Sequence, residues 1–209
     1  MKKISLSVLI SCLLILSGKA VVAQQVEISG GLTQKVLLGE EKDVFNPALG
    51  YEFGLNHHVN DYRMAHSLNY GLNFGIFNLN RVISEEGYSS QYQQLFETKA
   101  LFRYDYFIYD YLSLFSGGEA GFQFINLKSD QKVVISSQRA TKVFSKAIIA
   151  PQIGVNFELS PNLAIYYKLT YDLGYYLGDQ PDWGGPTSKW SYLLTNSAGV
   201  RVKFRTGYY

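Results

Sequence analysis

Cysteine is almost missing from this 209-residue chain: Cys12 is the only one, and it lies in an apolar run near the N-terminus. The rest of the chain therefore has no disulfide framework and no thiolate chemistry. No stretch after residue 23 reaches the ~18 consecutive apolar residues that a membrane-spanning helix requires. Histidine is scarce, with His57, His58 and His66 only, which leaves little material for a metal cage or a histidine-based catalytic centre. A charge excess is missing as well. Setting aside Lys2, Lys3 and Lys19 in the first 23 residues leaves 16 basic residues against 17 acidic ones. That balance carries no bias toward nucleic acid.

What is present begins with an export leader. Lys2 and Lys3 precede the short apolar run Ile4 to Leu16, and Val21-Val22-Ala23 supplies small residues for cleavage. Residues 1–23 are thus expected to be a cleaved signal peptide, with a mature chain of 24–209. No lipobox-like Leu-Ala-Gly precedes Cys12, so a lipoprotein is not expected. The remaining length suits one domain. Tyrosine (17) outnumbers phenylalanine (13), an excess of amphipathic rings that suits a membrane interface.

The clearest pattern is Phe144 to Tyr176, two long strands joined at Ser160-Pro161-Asn162. Ile149, Ile153, Val155, Phe157, Ile165, Tyr167, Leu169 and Tyr171 share one parity. Lys146, Gln152, Asn156, Glu158, Lys168 and Asp172 share the other. Strands alternate faces residue by residue, so the sheet has one apolar and one polar face. The same alternation marks strands at about 26–35, 47–56, 62–77, 91–104, 111–126 and 190–204, eight in all. Their connections alternate long and short. The strands exceed the ~5–6 residues usual in globular sheets, and a soluble sandwich would have to pack their charges as core.

These features predict an all-β fold: a transmembrane, eight-stranded, antiparallel up-and-down β-barrel, apolar face to lipid and polar face to the lumen. A sheet in hydrocarbon must close, because unpaired strand groups find no water there. At eight strands, side chains fill the interior. The predicted lumen charge cluster is Glu27, Glu97, Lys99, Arg103, Glu119, Lys168, Asp172, Arg201 and Lys203, with Glu52, Lys146 and Glu158 on the same parity. Glu27 is expected to meet Arg201 and Lys203 across the seam between the first and last strands. Pro151, inside a paired strand, predicts a bulge or bend.

The leader, the eight alternating strands and the final segment Ala198-Gly-Val-Arg-Val-Lys-Phe204 resemble the small outer-membrane β-barrel family, the OmpA/OmpX-like and opacity-type proteins of Gram-negative bacteria. The resemblance covers the whole mature chain. The final strand looks like a C-terminal assembly signal, although Arg205 to Tyr209 follow Phe204 and Thr206 replaces an apolar residue. The resemblance implies a place in the outer membrane. It also implies contact with outer-membrane lipid and lipopolysaccharide, with the barrel-insertion machinery during biogenesis, and with other outer-membrane proteins if a complex forms. Neither nucleic acid nor a cofactor is implied, and the family's fold leaves function open.

His57 and His58 read as a solvated turn rather than a metal pair, and His66 as interfacial. A deacylase-type site needs a histidine and a serine on one face with a carboxylate to orient the ring. Adjacent His66 and Ser67 face opposite ways, so no catalytic, cofactor or metal residues are assigned. The candidate partner-binding residues are Val133, Val134 and Ile135 in the loop after strand five and Trp183 in the loop before strand eight. The reading is a non-enzymatic structural, adhesive or complex-subunit role carried by extracellular loops. A narrow pore or a carrier of a small hydrophobic ligand is the second reading, and a lipid-modifying enzyme the third.

Overall fold

The computed structural model describes residues 24–39, 42, 46–60, 65–79, 93–128, 141–178 and 188–206. Within them run eight strands: β1 (Gln24–Leu38), β2 (Ala48–Asn60), β3 (His66–Leu79), β4 (Gln93–Tyr109), β5 (Leu112–Lys128), β6 (Thr141–Ser160), β7 (Leu163–Tyr176) and β8 (Trp190–Thr206). Each pairs antiparallel with the next, and β8 pairs with β1, so the barrel is closed. The leader and the candidate loop residues Val133, Val134, Ile135 and Trp183 lie outside the described residues.

Alternation sets the two faces. Outward positions are exposed and apolar, as at Leu32 (65%), Phe53 (54%) and Ile149 (65%). Inward positions hold the charges, with Glu27, Lys35 and Asp172 at 0% exposure. This is a soluble protein turned inside out, the arrangement that hydrocarbon outside and a filled lumen inside require. The short connections β2–β3, β4–β5 and β6–β7 share one end of the barrel with the start of β1 and the end of β8. The long connections share the other.

Most described inward residues beside the long connections are apolar, with Lys146 and Ser191 as polar exceptions. Leu37, Ala48, Phe77, Leu79, Leu95, Ile125, Phe144, Tyr176 and Leu193 form one buried cluster. Every one lies at or near the strand end that meets a long connection. The lumen is therefore layered, with an apolar cap at the outer end and an ionic interior beneath it.

Several strands run further than the alternation predicts, β1 as far as Leu38, and two of them at ends beside short connections. β2 continues to Asn60 and β4 to Tyr109, because His58 and Asp105 are inward strand residues rather than turn residues. The turns themselves are short: Asp110-Tyr111 and Pro161-Asn162. Pro151 does not produce the expected bulge. The β6–β7 ladder skips Ala150 and Pro151, yet Ile149↔Leu173 and Gln152↔Thr170 keep one register. The missing N–H leaves a gap rather than a shift. The register shifts fall instead beside the short turns, between Phe107 and Tyr109 and between Glu158 and Ser160. Several inward glycines are sterically required; a Cβ on Gly154, for example, would run into the Phe115 ring and the Tyr167 carbonyl.

Candidate functional site: the charged lumen

Two ionic clusters fill the lumen below the apolar cap. The first centres on Glu27 of β1. Arg103 of β4 grips it bidentately, Nη1 to Oε1 at 3.0 Å and Nη2 to Oε2 at 3.1 Å. His58 Nε2 lies 2.7 Å from Oε2, and Asn56 Nδ2 donates to Oε1 at 3.1 Å. The Arg103 fork also reaches Asp105, with Nε to Oδ1 at 2.9 Å, and Asn69 donates to that carboxylate at 2.8 Å. Arg201 Nε stands 3.7 Å from Glu27. Its guanidinium stacks between the rings of Phe115 and Tyr166, at 4.6 and 4.4 Å, and donates to Asn156.

The second cluster is a chain of alternating sign. Glu52 and Glu119 hold Lys168, the latter at 2.9 Å. Glu119 and Glu97 hold Lys99, the latter at 3.1 Å. Glu97 and Asp172 hold Lys35 at 3.0 and 2.6 Å. Four carboxylates thus enclose three ammonium groups. Burying a charge is costly unless a partner and further hydrogen bonds compensate it, and each cation here touches two anions. Further out, Lys146 donates to Ser191 at 2.7 Å and stands 4.4 Å from the Tyr176 ring.

The structure brings Glu97, Lys99, Glu119, Lys168 and Asp172 into one cluster, and Glu27, Arg103 and Arg201 into the other. It does not bring Lys203 to Glu27. These two are register partners across the β1–β8 seam, but the Lys203 ammonium binds Glu158 at 2.7 and 2.8 Å near the end of the barrel. Arg103 and His58 already occupy the Glu27 carboxylate, so of the expected seam triad Glu27 and Arg201 remain together while Arg103, from across the lumen, takes the place of Lys203. Sequence reasoning missed Lys35, His58 and Asp105. Parity is the available signal for Lys35, which continues the inward series Glu27, Ser29 and Thr33. His58 and Asp105 carry no such signal, since their polar neighbours resemble turn sequence.

Extending β2 also brings a serine, a histidine and a carboxylate together. Ser67 Oγ is 3.1 Å from His58 Nδ1, and His58 Nε2 faces Glu27. The connectivity is that of a nucleophile, base and orienting acid. Ser67 is only 2% exposed, however, and Arg103 already neutralises Glu27. The arrangement reads as packing of the lumen. Between the two clusters, bounded by Ser29, Glu52, Asn56, Arg103 and Lys168 among others, a cavity of about 10 Å³ remains. That is room for about one water.

No family model matches this chain, and no curated protein matches it. Solved structures do. Neisserial surface protein A (NspA) superimposes with a TM-score of 0.56 at 13% identity, covering 89% of this chain and 100% of that one. Ail, the attachment invasion locus protein of Yersinia pestis, in complex with the heparin analogue sucrose octasulfate, gives 0.51 at 16% identity over 88% and 100%. A major outer membrane protein from Thermus thermophilus gives 0.50 at 12% identity over 88% and 100%. The fold is that of the small outer-membrane barrels. With the exposed apolar belt, it makes this chain an integral outer-membrane β-barrel.

Proposed function

We infer that the barrel is a closed, rigid platform and that its role, non-enzymatic, is to present its long outer connections to a partner. The partner is an outer-membrane protein or another surface component. The observation that carries this reading is the occupied lumen: among the described residues two ionic clusters and an apolar cap fill it, and the cavity between the clusters has room for about one water. A rigid wall with an occupied interior leaves recognition to the loops it positions. Val133, Val134, Ile135 and Trp183 are the residues in those connections best suited to anchor a partner, since Trp is a favoured interface anchor.

The test replaces Val133, Val134 and Ile135 with Ser and Trp183 with Ala. None belongs to the described wall, so the barrel should still fold and shift on gels with heating. Co-purification of the native outer-membrane partner in mild detergent should be lost. A variant that keeps its partner would remove the loops as the interface.

A further inference from the structure

Five amide side chains occupy outward positions among the described strand residues: Gln34, Asn78, Gln94, Asn126 and Asn196. Asn78, Gln94 and Asn126 sit at strand ends beside the long connections, where water and headgroups can bind them. Gln34 and Asn196 do not. Leu32 and Val36 flank Gln34 on its face of β1, and Leu194 and Ala198 flank Asn196 on β8. Both amides therefore lie within the apolar belt. They are also register partners across the β1–β8 seam.

A groove of about 420 Å³ opens on the outer wall at this point. Leu32, Leu49, Tyr51, Tyr167 and Ala198 line it beside the two amides, and Asn78, at the end of β3, borders it as well. Tyr167 donates its hydroxyl to Asn196 Oδ1 at 3.1 Å. The Asn196 amide nitrogen is left to donate outward, and among the described residues nothing bonds the Gln34 amide. At this depth the bilayer offers only acyl chains, so amide groups facing it are costly and mark an interaction site. The occupant must bring both a donor and an acceptor to the same depth.

We propose that this groove is the interface of a symmetric homodimer in the membrane. A two-fold axis along the membrane normal brings residues of equal depth together and exchanges left for right. It sets β1 of one copy against β8 of the other. Gln34 then meets Asn196 of the second copy, twice. Each amide is both donor and acceptor, so the pair is self-complementary: Asn196 Nδ2 donates to Gln34 Oε1, and Gln34 Nε2 donates to the remaining lone pair of Asn196 Oδ1. Ala198 beside them lets the walls approach closely. This surface is independent of the outer connections, so it stands or falls separately from the loop-borne role.

The experiment uses full-length chains in phosphatidylcholine vesicles, labelled as energy-transfer donors and acceptors. The wild type should dimerise. Gln34→Leu combined with Asn196→Leu should weaken association roughly tenfold to a hundredfold, the sum of four modest intramembrane hydrogen bonds, while the barrel still folds. In a second measurement, a chain with Gln34→Cys and a differently tagged chain with Asn196→Cys are mixed and oxidised. A cross-linked pair carrying both tags is expected. Wild-type transfer no greater than random encounter overturns the proposal and leaves the amides to a lipid or another protein. So does a Leu variant that associates as tightly as the wild type, or a mixture that forms no two-tag product.

Discussion

Glu27 receives groups from β2, β4 and β8, while its own register partner, Lys203, turns away to Glu158. The cross-lumen and seam pairings therefore predict different energetics. Glu27→Ala leaves Arg103 and His58 buried with one anion fewer, and should cost about 2–4 kcal/mol. Lys203→Ala removes a part-buried pair that involves one carboxylate only, and should cost less, about 1–2 kcal/mol. A double-mutant cycle on Glu27 and Arg103 should give a coupling of about 1–3 kcal/mol, whereas Glu27 with Lys203 should be additive. Urea unfolding midpoints of the vesicle-embedded barrel decide between them: equal costs for Glu27→Ala and Lys203→Ala would restore the seam pairing. The difference is not legible from sequence. Parity places both Arg201 and Lys203 inside the barrel, but the direction a long cation takes across the lumen depends on which carboxylates are already engaged.

At the scale of the strand, alternation identifies eight elements because each outer face is predominantly apolar and each inner face is not. It misjudges ends for the same physical reason. Polar inward residues near a short turn look like turn residues, so His58 and Asp105 drop out of β2 and β4. The opposite error hides the apolar cap: Leu37, Leu79, Leu95, Ile125 and Leu193 are inward by parity, yet hydrophobic, so they blur the alternation where strands approach the long connections. Glycines in β5 make the facing testable. A Cβ on outward Gly118 meets nothing closer than the Ala150 carbonyl at 3.8 Å, whereas one on inward Gly121 strikes the Thr98 carbonyl and the Lys99 Cα. Gly121→Ala should therefore destabilise the barrel by about 1–3 kcal/mol. Gly118→Ala should be neutral, or stabilising by up to about 1 kcal/mol through the unfolded chain. Matching losses in thermal or urea midpoint for both would mean that the facing of β5 is wrong.

For the whole molecule, the layered lumen places two unlike barriers in series along one axis. The ionic clusters block the passage with side chains, and the apolar cap excludes water, which by itself stops ions. Current through barriers in series is set by the one still closed. The intact protein should thus give no steady conductance in planar bilayers. Removing one barrier should change little. Glu119→Ala with Lys168→Ala takes an anion and a cation together and leaves each survivor a partner: Lys99 keeps Glu97 at 3.1 Å, and Glu52 keeps Ser197 at 3.2 Å. That variant should fold and remain closed, because Phe77, Leu95 and Leu193 still cap the lumen. Phe77→Ser, Leu95→Ser and Leu193→Ser should likewise remain closed while the ionic clusters stand. The five substitutions combined still leave the Glu27–Arg103–Arg201 cluster across the lumen, so small openings should appear only when Glu27→Ala and Arg103→Ala are added to them. Steady, large currents from the unmodified protein would replace the platform reading with transport. Currents from either partial variant would show that the lumen holds one barrier rather than two.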